Sequence, residues 1–251
     1  MNKIILITGA SSGFGKATAE LFAANGWNCI ITARSKEKID ALANELTQRH
    51  SVQVLPLVFD VQDKAAVDQQ IGSLPDSWKK IDVLVNNAGL ALGRDPFDQA
   101  DMEDWEIMID TNLKGLLYVT RAVLPLMQTE KKGHIINIGS TAGVEVYKDG
   151  NVYCATKHAV DAISKAMRID LLSHGIKVTV VHPGAAETQF SVVRFKGNEQ
   201  KAAAVYDGYQ PLKGEDIANI IYYAASLPDH VCINELVVTC KAQANSFYLH
   251  K

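Results

Sequence analysis

Short apolar runs alternate with longer segments of helical period along this chain, and this alternation restricts the fold more than any other feature. The runs rich in Val, Ile and Leu are Ile4–Thr8, Trp27–Thr32, Val52–Asp60, Ile81–Asn87, Gly133–Ser140, Ile176–Gly184 and Glu235–Thr239. Segments of helical period lie between these runs. The first ends near Asn25, the second starts at Lys36, and the others are Lys64–Ile71, Asp101–Met127, Asn151–Leu172 and Glu215–Ser226. Strands that are apolar on both faces are typical of a parallel sheet covered by helices on both sides. The pattern predicts an α/β fold with a doubly wound parallel sheet of about seven strands and right-handed crossovers.

One proline predicts where the third strand lies in that sheet. Pro56 falls inside the third run. Proline has no N–H to donate to a neighbouring strand, so it is confined to sheet edges, strand starts and bulges. The third strand is the edge strand in the order 3-2-1-4-5-6. The sequence therefore predicts this order, with the third strand at the edge.

The composition is that of one folded domain. The chain has 251 residues, of which 47% are hydrophobic and 21% charged, so it carries enough apolar surface to offset chain entropy. No repeat, low-complexity tract or linker divides it, and we expect a single domain over residues 1–251. A formal charge of -3 and a pI near 6.2 disfavour a general nucleic-acid binder.

Neither a membrane span nor a leader is predicted. No apolar run approaches the roughly 18 residues that cross a bilayer, so no membrane partner is expected. The residues before Gly9 are too few for a secretory apolar region of about 7–15 residues. Cys29, Cys154, Cys232 and Cys240 are far apart, without a C-x-x-C pair. Widely spaced cysteines in a chain of this length are typical of reduced thiols, and we expect a cytoplasmic protein.

A glycine-rich turn joins the first run to the first helix. It reads T-G-A-S-S-G-F-G, and its glycines permit a sharp turn, a close approach of backbone to a pyrophosphate, and tight packing of helix on strand. Free N–H groups at the start of a helix attract an anion. An ordinary strand–helix turn is the alternative. We expect a dinucleotide here, bound by Gly9, Ser11, Ser12, Gly13, Phe14 and Gly15.

The end of the second run indicates which dinucleotide binds. NAD-binding proteins usually carry an acidic residue there, whereas this chain has Arg34 followed by Ser35. A guanidinium pairs with a 2′-phosphate that a carboxylate would repel, which predicts NADP(H). A solvated arginine at a helix start is the alternative for Arg34. Asp60 and Val61 are expected near the adenine, although Asp60 would serve equally as a strand-end or helix-capping residue.

Three residues form a candidate proton-transfer site. Tyr153 and Lys157 are four residues apart in a helical segment and share one face, and Ser140 ends the fifth run. A tyrosine pKa near 10 is too high for a base at neutral pH, but a nearby ammonium and an oxidised nicotinamide both favour the phenolate. Ser140 would hold the substrate oxygen while Tyr153 donates or accepts its proton. Taken alone, the Tyr–Lys pair is more often a surface pair.

In this order, these motifs together with Asn86–Gly89 (N-N-A-G) and Asn112 resemble the short-chain dehydrogenase/reductase family over nearly the whole chain. The resemblance implies a Rossmann fold with Tyr153 as catalytic acid/base. It implies that Lys157 lowers the pKa of Tyr153 and binds the nicotinamide ribose, that Ser140 orients the substrate, and that Asn112 maintains a water-linked proton relay.

The same resemblance implies further cofactor contacts and an assembly. The cofactor-binding residues that it adds are Asn87, Gly89, Pro183, Gly184 and Thr188, beside Tyr153 and Lys157. The family's usual homotetramer would place Asp101–Met127 and Asn151–Leu172 at subunit interfaces.

Several stretches are similar to one branch of the family, the NADP-dependent 3-hydroxy acid dehydrogenases. They are Asn86–Gly93, Asp104–Leu116, Gly133–Gly143, Gly150–Lys157 and Val193–Gly197. This resemblance implies a small anionic substrate, such as serine, L-allo-threonine, 3-hydroxypropionate or a matching semialdehyde. The chain departs from the branch at His182, where an acidic residue is expected, and in a shorter loop after Pro183.

A small anion needs a cation near the reacting carbon. Arg194 follows the Pro-Gly turn in a lid near residues 185–212 and is the best candidate for a carboxylate clamp, with Lys196 a weaker one. The substrate site is therefore expected to comprise Ser140, Tyr153 and Arg194. Glu145 and Lys148 would either reshape the mouth, for example toward a sulfonate-bearing aldehyde, or be rim charges. A reductase for a non-anionic ketone remains an alternative.

No metal site is expected. The seven histidines are scattered, and none forms an H-E-x-x-H motif or a Cys/His pair.

Overall fold

A parallel sheet forms the centre of the molecule. The computed structural model describes residues 2–251, and within them seven strands pair in parallel. The strands are β1 (Ile4–Thr8), β2 (Asn28–Ala33), β3 (Val54–Val58), β4 (Val83–Asn86), β5 (Gly133–Ile138), β6 (Ile176–Pro183) and β7 (Glu235–Val238). Their order is β3-β2-β1-β4-β5-β6-β7. The predicted doubly wound sheet and its strand order are confirmed.

The edge position of β3 explains how Pro56 is tolerated. Pro56 lies opposite Ile31 of β2, and the other side of β3 has no neighbouring strand among residues 2–251. The missing N–H therefore leaves no ladder partner unsatisfied. The prediction from this single proline is confirmed.

Helices cover both faces of the sheet. They are α1 (Gly13–Ala24), α2 (Lys36–Arg49), α3 (Lys64–Gly72), α4 (Met102–Ile109), α5 (Leu116–Glu130), α6 (Asn151–Asp170), α7 (Gln189–Arg194), α8 (Glu199–Ala204) and α9 (Gly214–Ser226). Among residues 2–251, none of these helices has both the length and the apolarity that crossing a membrane requires. The looser segment predicted after β6 contains the short helices α7 and α8.

The long helix predicted at Asp101–Met127 contains an irregular centre. Helices α4 and α5 are continuous through a π-helical turn at Asp110–Gly115. A π-turn widens the helix by one residue without ending it, so the apolar pattern on either side still reads as one helix. Such turns are frequent at functional sites, and this one contains Asn112.

Two apolar layers hold the helices on the sheet. On one face, Phe22 and Ile217 from α1 and α9 pack on β1 and β2. On the other, Val67, Val123 and Met127 from α3 and α5 pack on the opposite sides of the same strands. Burying one such side chain contributes about 1.5–3 kcal/mol, so the layers fix the strand ends from which the loops emerge.

The C-terminal tail (Lys241–Lys251) folds back over the chain. The Gln243 Oε1 accepts a hydrogen bond of 2.7 Å from the Ala185 N–H, just after β6. The Ser246 N–H donates to the Glu145 Oε2 at 3.0 Å, and Lys251 lies against Gly208. The tail thus links the loops that follow β5 and β6.

Candidate active site

A cleft lies at the carboxyl ends of the strands where their order reverses, between β1 and β4. Ligands bind at this point in open α/β sheets. Predicted site residues that line the cleft are Gly9, Ser11, Ser12, Gly13, Phe14, Arg34, Asp60, Val61, Asn87, Gly89, Ser140, Tyr153, Lys157, Pro183 and Thr188. Those that lie beside or behind this lining are Gly15, Ser35, Asn112, Gly184 and Arg194.

The glycine-rich turn has the geometry of an anion site. Gly9 and Gly13 adopt φ values of +65° and +53°, which side chains disfavour. A Cβ on Gly15 would lie 2.5 Å from the Gly9 carbonyl oxygen, so only glycine lets α1 approach the strand. The N-cap Ser12 makes no side-chain capping bond, and the first turn of α1 carries no acidic residue. The first N–H groups of α1 are therefore free for a phosphate, and these residues fit a dinucleotide.

Arg34 lies at the outer end of the cleft. Its Nη1 is 3.7 Å from the Asp60 Oδ2, and 67% of its side chain is exposed. An ion pair this open is weak, so the guanidinium remains available to another anion. Asp63, rather than Asp60, caps α3. Ser35 caps α2 by accepting from the Lys38 N–H, which directs its hydroxyl to the helix.

The reactive end contains Tyr153, Lys157 and Ser140. Tyr153 and Lys157 are both buried on α6, and the Lys157 Nζ lies 6.0 Å from the Tyr153 ring centroid. The Lys157 Nζ donates to the Ile138 carbonyl at 2.9 Å. Ser140 begins the next turn, where its Oγ accepts from the Ala142 N–H at 3.1 Å. The end of β5 thus orients both Ser140 and Lys157.

Burial shifts both titratable groups toward their neutral forms. It raises the pKa of Tyr153 well above its usual range, and nearby Tyr147 adds to the rise. A hydrogen bond with Ser140 and the charge of Arg194 oppose the rise. Burial also lowers the pKa of Lys157 to about 8. The phenolate expected from the sequence is therefore not favoured in the protein alone.

Asn112 ties the loop after β4 to α6. Its Nδ2 donates to the Leu90 carbonyl at 2.8 Å and to the Thr156 Oγ1 at 3.1 Å, and its Oδ1 accepts from the Leu90 N–H at 2.8 Å. A Cβ on Gly89 would lie 3.1 Å from that Oδ1 and 3.5 Å from the Lys157 Nζ. The side chain of Asn112 therefore holds a loop, while its predicted relay role remains a prediction.

Arg194, at the end of α7, lies beside Tyr153 and Tyr147. Its guanidinium carbon lies 5.6 Å from the centroid of the Tyr147 ring and 5.5 Å from that of Tyr153. Its Nε donates to the Gly93 carbonyl at 3.2 Å. The buried Tyr147 hydroxyl has no hydrogen-bond partner within residues 2–251. The sequence pattern did not single out Tyr147, because it lies in an irregular loop without periodicity.

The other charged candidates near the mouth are used elsewhere or are exposed. The Lys196 Nζ pairs with the Asp104 Oδ2 at 2.9 Å. Glu145 binds the C-terminal tail through Ser246, and Lys148 is exposed. Arg194 is therefore the cation that lies nearest to Tyr153 among these candidates.

The residues after β6 connect the site to the tail and the lid. Gly184 packs against the side chain of Gln243, which leaves no room for a Cβ. Thr188 caps α7 by accepting from the Phe190 N–H at 3.2 Å. Phe190 in turn packs on Tyr153, with ring centroids 5.6 Å apart. One histidine is also less isolated than its spacing suggested, since the fold brings His182 close to two carboxylates.

Comparison with known proteins identifies the family. A family model described as short chain dehydrogenase matches residues 3–199. The chain is 50% identical over 232 residues to the NADP-dependent 3-hydroxy acid dehydrogenase of Salmonella typhi, covering 92% of each chain. It is 46% identical over 249 residues to sulfoacetaldehyde reductase 2 of Chromohalobacter salexigens, covering 99% of this chain and 98% of that one.

A solved structure agrees with these relatives. The closed form of serine dehydrogenase complexed with NADP+ is similar to this chain with a TM-score of 0.92 and 44% identity, and the match covers 99% of each chain. The glycine-rich turn, the strand order and the Ser–Tyr–Lys set all lie within the matched region. The chain therefore belongs to the short-chain dehydrogenase family.

Proposed function

We propose that this protein is an NADP(H)-dependent oxidoreductase that interconverts a small 3-hydroxy acid and its semialdehyde or keto form. The observation that carries the substrate assignment is the guanidinium of Arg194 beside the rings of Tyr147 and Tyr153. A fixed cation next to the acid/base group suits a substrate with an anionic group a few atoms from the reacting carbon.

The cofactor assignment is supported by both ends of the cleft. Gly13 and the uncapped start of α1 would hold the pyrophosphate, and Arg34 the 2′-phosphate. When bound, NADP(H) supplies or accepts the hydride. The similar 3-hydroxy acid dehydrogenase is NADP-dependent, and the similar serine dehydrogenase structure contains NADP+.

The chemistry proposed for the chain's own residues is a proton transfer. In oxidation, the phenolate of Tyr153 takes the proton of the substrate hydroxyl, and in reduction the phenol returns a proton to the substrate oxygen. Ser140 donates a hydrogen bond to that oxygen. Lys157 stabilises the phenolate by its charge, which it carries below a pKa of about 8. Tyr153→Phe should lower kcat by at least a hundredfold, since it removes this transfer.

The substrate class is tested by an absorbance assay that follows NADPH across a panel. It contains serine, L-allo-threonine, 3-hydroxypropionate, sulfoacetaldehyde and a hydrophobic ketone. Turnover of the hydroxy acids is expected. Turnover of the ketone alone would contradict the proposal.

Variants of Arg194 test the clamp. Arg194→Ala should lower kcat/KM for the acids by about ten- to a hundredfold, since it removes a charged hydrogen bond worth about 1.5–3 kcal/mol. Arg194→Lys should retain only part of the wild-type kcat/KM for the acids, because an ammonium cannot donate two parallel hydrogen bonds to a carboxylate as the planar guanidinium does. Lys148→Ala, an exposed charge on the rim, is the matched control. Unchanged constants in Arg194→Ala would exclude the clamp.

Sulfoacetaldehyde is the second candidate substrate. A guanidinium donates to two oxygens of a sulfonate as it does to the two oxygens of a carboxylate, and the similar enzyme of Chromohalobacter salexigens is a sulfoacetaldehyde reductase. The ratio of kcat/KM for sulfoacetaldehyde to that for the semialdehyde of 3-hydroxypropionate decides between the two.

A further inference from the structure

His182 lies directly behind Ser140. Its side chain is fully buried on β6, and its Nδ1 is 2.9 Å from the Ser140 carbonyl oxygen and 3.3 Å from the Ser140 N. A Cβ on Gly139 would lie 2.5 Å from the same Nδ1, so the ring packs on the backbone at the end of β5. His182 therefore contacts both main-chain polar groups of the serine.

The other ring nitrogen faces two carboxylates. The His182 Nε2 lies 3.5 Å from the Asp161 Oδ1 and 3.6 Å from the Glu235 Oε1. Within residues 2–251, both the Nε2 and that Oδ1 are buried without a hydrogen-bond partner. The Lys165 Nζ pairs with the second oxygen of Asp161 at 2.6 Å and lies 3.9 Å from the Glu235 Oε2. These three groups, from α6 and β7, are the charges that face the ring.

The protonation of the ring decides how well it is held. With a proton on Nδ1 alone, the Nε2 lone pair faces two carboxylate oxygens. With a proton on Nε2 alone, the Nδ1 lone pair accepts from the Ser140 N–H at 3.3 Å but also faces the Ser140 carbonyl oxygen at 2.9 Å. Only the imidazolium donates at both ends, to Ser140 and to the carboxylates. The carboxylates favour the imidazolium, which donates both to them and to the Ser140 carbonyl, whereas burial has the larger effect and lowers the pKa of His182 below its usual 6.5.

We propose that His182 is a positioning residue for Ser140, held in place by Asp161 and Glu235. It fixes the backbone of Ser140 so that the hydroxyl meets the substrate oxygen, and it touches neither substrate nor cofactor. This proposal rests on the proposed function, because it assigns the catalytic step to the site that contains Ser140.

The first test removes the carboxylate charges without touching the site. Asp161→Asn combined with Glu235→Gln should lower kcat about tenfold near pH 7 while KM for NADPH stays within twofold. The part of the kcat–pH profile in which kcat falls as the ring loses its proton should also move to lower pH, since the ring loses the charges that favour its protonation. Asp170→Asn, an exposed charge on the same helix, is the control. A profile and kcat equal to wild type would overturn the proposal.

The second test separates the two ends of the ring. The amide of His182→Asn reaches the position of Nδ1 and can still bind the Ser140 carbonyl, whereas that of His182→Gln reaches the position of Nε2 and keeps only the carboxylate contact. Asn should retain kcat within about threefold, since its amide N–H donates to that carbonyl without the proton that the ring needs the carboxylates to keep, and Gln should lose at least tenfold. Equal kcat values in the two variants would overturn the proposal, as would a higher value in His182→Gln.

Two further readouts distinguish the positioning role from a failure of the proposed function and from a metal site. Backbone deuterium exchange of residues 139–144 should be faster in the Asp161/Glu235 double variant than in wild type, and this measurement does not depend on turnover. If wild type turned over none of the substrates while this difference in exchange remained, the proposed function would be contradicted and the positioning role would not. Equal exchange rates in the double variant and in wild type would contradict the positioning role. The three side chains could also ligate a divalent cation, so a stoichiometric metal in the purified protein, with EDTA abolishing activity, would replace our proposal.

Discussion

Burial acts on the two central residues in opposite senses. It raises the pKa of the Tyr153 phenol and lowers that of the Lys157 ammonium, so each group is pushed toward the form without charge. Oxidation of the substrate needs the opposite forms, phenolate and ammonium. A cationic nicotinamide would favour the phenolate by its charge, which would link proton transfer to cofactor binding.

The cost of the buried ammonium should appear in the free energy of unfolding. Unfolded Lys157 keeps its proton up to its ordinary pKa of 10.5, whereas the folded protein releases it at about 8. Below pH 8 this difference destabilises the fold by about 3 kcal/mol, and the penalty disappears as the pH rises from 8 to 10.5. Lys157→Met has no such penalty. Urea unfolding at pH 7 and 9.5 should show wild type gaining about 2 kcal/mol relative to the variant, and a constant difference would contradict the shifted pKa.

Arg34 should determine the choice between the two dinucleotides. Arg34→Asp places a carboxylate beside Asp60 and where the 2′-phosphate is expected, so the phosphate would be repelled. We expect kcat/KM for NADPH to fall about a hundredfold, while that for NADH changes less than tenfold. Steady-state kinetics with both cofactors measure this. Arg49→Asp, a charge change on the outer end of α2, serves as control, and an unchanged preference in Arg34→Asp would refute the assignment.

At the scale of elements, the π-helical turn between α4 and α5 attaches the loop after β4, which borders the candidate active site, to a helix. Three hydrogen bonds join the Asn112 side chain to Leu90 and Thr156. The extra residue of the turn rotates Asn112 toward the loop that carries Gly89. A regular helix would present a different residue at this place.

Asn112→Ala should therefore loosen the loop after β4. The Leu90 N–H and carbonyl would lose their partner, at a cost of about 1–3 kcal/mol for each buried polar group left unpaired. We expect a loss of about 2–4 kcal/mol in the free energy of unfolding and a larger effect on kcat than on KM for the acid. Urea unfolding and kinetics measure both. Gln62→Ala, which removes one bond to the adjacent Thr111, is the control, and equal losses in the two variants would argue against a special role for Asn112.

The parts of the fold that can be predicted from the sequence are the strands and helices, because their apolar residues follow a local pattern. Strands such as β1 and β5 are fully buried, rich in Ile, and each followed by a helical segment, so their positions and parallel order follow from pattern alone. Pro56 alone predicts that β3 lies at the edge of the sheet. The π-turn could not be predicted, because its apolar spacing differs from that of an α-helix by only one residue.

The parts of the site that the sequence pattern does not reveal depend on distant residues. Tyr147 contacts Arg194, which belongs to α7, far along the chain. His182 meets Asp161 and Glu235 only because β6 pairs with β7 and α6 packs on β6. Neither grouping has a spacing that a motif search would recognise.

At the scale of the molecule, large apolar side chains on α5 and around the end of α6 are exposed. Ile169 near the end of α6 and Leu172 just after it are each 76% exposed, and Leu117 of α5 is 38% exposed. Both helices belong to the segments for which the family resemblance implies subunit contacts. Apolar side chains in such a group favour burial against another protein surface.

The homotetramer expected from the resemblance is therefore testable at this flank. Ile169→Glu combined with Leu172→Glu should convert the assembly into smaller species, because two charges would be buried at the interface. Light scattering after size exclusion measures the mass of each form. Tyr223→Glu, an exposed apolar position on α9, is the comparison. A mass equal to wild type in the double variant would exclude these helices as the interface.

The backward course of the C-terminal tail has a practical consequence for enzymology. Its hydrogen bonds to Ala185 and Glu145 reach two loops that border the reactive end, and its last residue rests on Gly208. An affinity tag fused behind Lys251 would therefore disturb all three of these contacts. Rate constants measured on such a fusion would reflect the effect of the tag as well as the properties of the enzyme.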